Sequence, residues 1–453
     1  MTLTISSKEY EKWQEFVRDH SPYKLSSEDK LDSKDETGYF DKLERFREFL
    51  KDPEVDPDFS WINNDDVEIL SATNQPSLKY GFPALPAGDP VSADFIIGLV
   101  NPSVPKVVNA ADLPNVEQSI KAYYENGYDE IEISDEKVSE YNSDEFKDIY
   151  PLSNTKDLKQ QAKETGICYN PTNIVAQEFE RAFSANVATV KNMRFNQFMS
   201  SSAIPGKKEG NENPLRQKKM LEYRSKGYKF NKMYYVHQYF NQALVPVISD
   251  LLASQREKKV TRVTELNFEI KDNKGNTGKN TVEVLKKALQ SQNKKFDDLN
   301  ICNIELFPYR SRKIPKDAEK LPSAQFSVAL LINRIFEYLV DAENNKRPIL
   351  ALRNYENRWL PAIEQFIIEH QAVLPAGFTP DEVEQFVWVF SSNQSVAVSD
   401  NNLIYAPIWY GSTVGKHVGK QRLTNDTREL YIEQIKKDSA KQFASIVAPV
   451  FKL

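Results

Sequence analysis

The sequence predicts an α/β fold: a central, mostly parallel four-stranded sheet flanked by helices, with a helical N-terminal region and a long helical insertion. Three observations predict it. Four short, continuous apolar runs are spread along the chain, helix-period patterns separate them, and no repeat of fixed spacing recurs. The 453 residues suffice for a large core, and at 40% hydrophobic and 11% aromatic the composition is that of a folded chain.

The first 73 residues read as a helical, acidic N-terminal region. EYEKWQEFVRDH (Glu9–His20) and DKLERFREFLKD (Asp41–Asp52) each carry apolar residues at three-to-four spacing. The Pro-rich stretch Asn74–Pro90 has no period and reads as an extended connector. Ala93–Val100 (ADFIIGLV) follows, an apolar run of the kind a strand buried on both faces requires. Three more runs of this type are Leu299–Phe307, Pro348–Leu352 and Phe386–Phe390. Helical patterns cover Tyr234–Leu252, Ser323–Val340, Trp359–His370 and, at the end, Thr424–Phe443. Val260–Lys271 alternates apolar and polar residues, predicting a strand and hairpin at an edge, and KDNKGNTGKN then reads as a turn-rich break. These elements divide the chain into the region 1–73, an α/β core at 74–110 and 234–423, an insertion or cap at 111–233, and a C-terminal helix at 424–453.

The net charge is −6, which argues against a chain that coats a polyanion with its whole surface. The charge is unevenly spread. Lys207–Lys232 holds nine Lys/Arg against three Glu, whereas Asp112–Asp148 holds twelve Asp/Glu against three Lys. The basic run, with Lys218, Lys219 and Arg224 at its centre, is the candidate contact for nucleic acid; the competing meaning is a solvated loop beside an acidic one. Two cysteines and four scattered histidines offer no metal-ligand spacing, so neither metal nor cofactor is expected. The Gly-Lys pairs in GNTGKNT and GSTVGKH lack the glycine spacing of a phosphate loop. No apolar run reaches the roughly 18 residues that span a bilayer, and no secretory leader is visible, so no membrane partner and a cytoplasmic location are expected.

In an open parallel sheet, ligands bind beyond the carboxyl ends of the strands. The first apolar run is followed by Asn101, Pro102 and Ser103, and the second by Pro308, Tyr309, Arg310, Ser311 and Arg312, with Asn303 and Glu305 inside it. Arg353, Asn354 and Tyr355 follow the third, and Ser391 to Ser395 the fourth. Asn, Ser and Pro favour turns after any strand, so only the set as a whole points to one polar site.

That set, in that order, resembles the uracil-DNA glycosylase-like superfamily. FIIGLVNPS is similar to its first strand and Asn-Pro motif, NICNIELFPYRSRKIP to its second-strand segment, and FVWVFSSNQSVAVS to its last strand and His-Pro-Ser loop. RPILALRNYENRWLPAI falls where the family has its third strand. The similarity covers about 93–110 and 299–405. It implies that Asn101 orients an attacking water, Pro102 shapes that loop, Asn303 reads the edge of an extruded base, and Asn393, Gln394 and Ser395 occupy the His-Pro-Ser positions. Tyr309 and Arg310 join Ser103 as candidate substrate contacts. Two departures stand out: Asn393 replaces the cationic His, and Ser103 replaces the usual Gly. The resemblance thus implies either metal-free hydrolysis of an N-glycosidic bond or a non-catalytic nucleic-acid binder. An unrelated α/β enzyme using the same strand ends on a small molecule stays open.

Overall fold

The computed structural model describes residues 4–22, 62–70, 83–102, 161–162, 164–184, 235–253, 259–263, 267–271, 277–309, 314–315, 317–391, 396–411 and 425–453. The strands are β1 (Phe95–Leu99), β2 (Lys259–Val263), β3 (Asn267–Lys271), β4 (Thr277–Thr281), β5 (Ile301–Glu305), β6 (Ile349–Leu352), β7 (Val387–Phe390) and β8 (Leu403–Tyr405). The helices used below are α1 (Ser7–Asp19), α2 (Asn64–Leu70), α3 (Ile174–Ser184), α4 (Asn241–Leu252), α5 (Val282–Ser291), α6 (Pro322–Val340), α7 (Leu360–Glu369) and α8 (Asn425–Gln442).

The four apolar runs form β1, β5, β6 and β7, which pair in parallel in the order β5-β1-β6-β7. Among the described residues the sheet has five strands rather than the expected four. β8 adds to β7 in the antiparallel sense, and three residues (LIY) carry too little pattern to announce a strand. Side chains alternate between faces with the strand period. Ile96, Cys302, Ile304, Leu350 and Leu352 join one buried cluster with α1, α6 and α7. Phe95, Ile97, Leu99, Ile301, Ile349 and Ala351 join the other, with α3, α4 and α5. Helices on both faces explain why the parallel strands read as unbroken apolar runs.

Both sheet edges are covered. Beside β5, Ala87 exchanges backbone hydrogen bonds with Asn303, at 3.1 and 2.8 Å. Gly88 makes this approach possible: its φ is +91°, and a Cβ there would lie 2.0 Å from the Ile301 carbonyl oxygen. Beside β8, the Tyr405 N–H donates to the Ser439 hydroxyl of α8 at 2.9 Å.

Residues 164–184, assigned from the sequence to the insertion, contribute to the core: Ile167 and Cys168 join the first cluster, Val175 and Phe179 the second. The predicted edge hairpin is a separate three-stranded antiparallel sheet, β2-β3-β4. Its third strand, TGKNT, falls within the segment read as a break, because it holds no apolar residue to mark it. The N-terminal region docks through α1, which buries Trp13, Phe16 and Val17. Trp13 meets Phe336 at 5.0 Å and Phe366 at 6.0 Å between ring centroids. A reciprocal cap between Ser6 and Glu9 starts this helix. The predicted helix at Asp41–Asp52, most of the connector and most of the insertion lie outside the described residues.

No described helix is long and apolar enough to cross a membrane.

Candidate functional site

Because β1, β5, β6 and β7 run the same way, the segments after each leave one edge of the sheet. The chain passes from β1 to β5 on one side, then across to β6 on the other. This order makes the carboxyl ends of β1 and β6 the topological switch point, where a crevice opens between diverging connections. Asn101, half-buried, and Pro102, buried, follow β1 there. Arg353 follows β6 on the adjacent strand, its backbone N–H bonded to the Gly98 carbonyl at 2.8 Å. Gly98 has no room for a side chain: a Cβ would lie 2.3 Å from Leu352 and 3.0 Å from the Trp359 ring. Asn354 then takes a left-handed turn, with φ +57°. Asn is among the few non-Gly residues that accept this conformation readily. A π-helical turn at Tyr355–Trp359 leads into α7.

Asn303 lies on β5 opposite Ile97 and shares its face with Ile301 and Glu305. It is 4% exposed, and its Oδ1 finds no hydrogen-bond partner among the described residues. An unpaired buried amide atom costs about 1–3 kcal/mol. Such a group marks either strain or a place that a ligand completes.

Above this face stands a second π-helical turn, Val236–Phe240, which runs into α4. Its start is held by Glu178 of α3, whose carboxylate accepts the N–H groups of Tyr235 at 2.8 Å and Val236 at 2.7 Å. Glu178 is 2% exposed, and it places negative charge at the positive end of the turn. The turn carries Tyr235 and Tyr239, stacked 6.0 Å apart. The Tyr235 hydroxyl reaches Glu305 Oε1 at 3.5 Å. The Tyr239 hydroxyl accepts from Arg353 Nη1 at 2.5 Å, and the guanidinium carbon lies 5.9 Å from the Tyr239 ring centre. The Tyr239 carbonyl accepts from the Val398 N–H at 2.6 Å. Val398 and Val396, on the return from β7, are buried in the same cluster as Tyr239. Glu305, Tyr235, Tyr239 and Arg353 therefore form one polar and aromatic network near the carboxyl edge of the sheet, and Asn303 lies on the same face of β5 as Glu305.

Tyr309 departs from the expected set. It packs in the opposite cluster, 3% exposed, with its hydroxyl donating to Asp66 Oδ2 at 2.5 Å and accepting from the Asn63 N–H at 2.9 Å. Asp66 Oδ1 also accepts the Ser323 N–H at the start of α6, at 3.2 Å. Burial pushes the Asp66 carboxyl and the Tyr309 phenol above their ordinary ranges. This pair ties α2 to the core, so the phenol is spent on packing rather than on a ligand. Ser103, Arg310, Asn393, Gln394, Ser395, Lys218, Lys219 and Arg224 lie outside the described residues. Ser391 leaves β7 at the edge where Asn101 leaves β1, and Val396 and Val398 return beside Tyr239.

Sequence reasoning placed Arg353 in the strand-end set, as a charged residue straight after a strand, but did not select Glu178, Tyr235 or Tyr239 for this network. Glu178 had no local signal, because its partners lie 57 and 58 residues away. Burial raises the Cys302 thiol well above its ordinary value and the Cys168 thiol to about 12, so neither is poised as a nucleophile. Among the described residues no three His, Cys, Asp or Glu side chains gather as a metal site. No family model, curated protein or solved structure matches the chain.

Proposed function

We propose that this chain binds nucleic acid and hydrolyses the N-glycosidic bond of an altered or non-standard base, in the manner of the glycosylase-like superfamily its strand-end motifs resemble. The observation that carries this proposal is Asn303, a buried amide in the middle of a strand of the parallel sheet with an unpaired polar atom. An amide offers both a donor and an acceptor, which suits the edge of an extruded base. Tyr235, partly buried and stacked on the buried Tyr239, supplies an aromatic ring beside Glu305, and Arg353 supplies positive charge one strand away from Asn101. In the proposed reaction a water held by Asn101 attacks C1′ as the bond from C1′ to the base nitrogen breaks. The bond pair leaves with the base, the water oxygen stays on the sugar, and its proton passes to solvent or to the base. Fixed polar groups act most strongly where such charge develops.

The test is incubation with oligonucleotides carrying uracil and other altered bases, followed by alkaline cleavage at any abasic site. Strand breaks dependent on the protein and on one altered base support the proposal. Asn393→His restores the donor the family usually has and should then speed release. A second reading, a binder without catalysis, is favoured by Asn393 itself, since its amide cannot supply a cationic hydrogen bond to the leaving base. Binding with no release from any member of the panel, by wild type and Asn393→His alike, would establish that second reading.

A further inference from the structure

We propose that His20 and His370, which end helices α1 and α7 against one another, form an acid-sensitive latch that holds the N-terminal helix on the core. Each histidine is the C-cap of its helix, with its backbone N–H bonded four residues back, to Phe16 and Phe366 respectively. The imidazole centres lie 5.8 Å apart at 71°. Phe16 packs on both, stacked 4.0 Å from His20 and edge-on 4.9 Å from His370. Phe366 closes the cluster, 4.5 Å from His370 and 6.1 Å from Phe16. Nδ1 of His20 is 2.9 Å from the Phe16 carbonyl oxygen. This is an interface between two helix ends made almost wholly of flat rings.

The half-buried His370 ring fits such a cluster as a neutral imidazole, and burial among the rings disfavours its cation. The charged or titratable groups acting on His370 are His20, across the interface, and Glu369, on its own helix. α6 meets this region through Phe336, an apolar ring seated against Trp13. The carbonyls that end each helix favour a cation, but burial and the facing His20 oppose it and hold His370 below the ordinary histidine range. The sign follows from that direction. A released or unfolded α1 leaves His370 free to take up a proton near 6.5, while the docked state resists it. Docking is therefore at full strength above that value and weakens as pH falls below it. Loosening unseats Trp13, which is fully buried, and parts Arg18 from Gly166, whose backbone packs directly on it.

Hydrogen exchange on the full chain tests the latch. Protection factors, which normalise for the intrinsic effect of pH, are compared at pH 7.5 and 5.0. The last turn of α1 should lose severalfold in protection at the lower pH, because the docked state resists protonation of His370. The core of α6 should hold its protection. His370→Gln should cut the α1 change to less than about twofold, and His20→Gln, at an exposed position, should reduce it in part, since burial is the larger cause of the His370 shift. Should His370→Gln fail to fold, His20→Gln decides. An α1 whose protection does not fall, falls together with that of α6, or falls equally in His20→Gln overturns the latch.

Discussion

Arg353, at the end of β6, donates a hydrogen bond of 2.5 Å to the hydroxyl of Tyr239, on a π-helical turn more than a hundred residues earlier in the chain. This pair joins the carboxyl edge of the sheet to the helix layer above Asn303. Tyr239→Phe keeps the ring and removes only the acceptor. A hydrogen bond to a charged group is worth about 1.5–3 kcal/mol net. Urea unfolding should show a loss of that size with an unchanged m-value; an unchanged midpoint would show that the contact contributes nothing to the fold.

Gly98 is where the fold has no slack. A methyl group there meets Leu352 and Trp359, both in a close-packed core. Gly98→Ala should cost about 1–3 kcal/mol by overpacking, read as a lower thermal midpoint. It should also shift Arg353, whose N–H bonds the Gly98 carbonyl. A variant as stable as wild type would mean that Trp359 moves aside freely.

The Asp66–Tyr309 pair predicts a contrast between two substitutions. Asp66→Ala leaves the Tyr309 hydroxyl and the Ser323 N–H without their acceptor inside the core. That should cost about 2–4 kcal/mol. Asp66→Asn retains an acceptor oxygen and should cost less than half as much. Equal losses in urea unfolding would show that the negative charge, not the hydrogen bonds, holds α2 in place.

The proposed nucleic-acid contact predicts a salt effect. If Lys218, Lys219 and Arg224 each neutralise a phosphate, replacing all three with Ser should lower affinity and flatten the plot of log K against log salt by about 2–3 units. Unchanged affinity and slope would show the basic run to be a solvated loop.

Much of this architecture is legible in the sequence, and its gaps have physical causes. The four parallel strands are buried on both faces, so each reads as a continuous apolar run. β8 and β4 escaped because one is three residues long and the other, TGKNT, has no apolar residue. Asn303 stood out as a polar residue inside an apolar strand, and the structure gives its Oδ1 no described partner. Tyr309 looked equally suitable because it follows a strand end. No local pattern could reveal that Asp66, 243 residues away, claims its hydroxyl. Glu178 was hidden for the same reason: its role as a cap depends on a helix start brought to it by the fold.

Hydrolysis is proposed at the edge of the sheet where Asn101 follows β1. Single-turnover release of base, with binding measured in parallel on the same oligonucleotide, tests it most directly. Asn101→Ala should slow release by about a hundredfold or more, since a group that positions water acts mainly in the transition state. Its affinity for the oligonucleotide should stay within about twofold of wild type. Equal release rates in wild type and Asn101→Ala would contradict the claim.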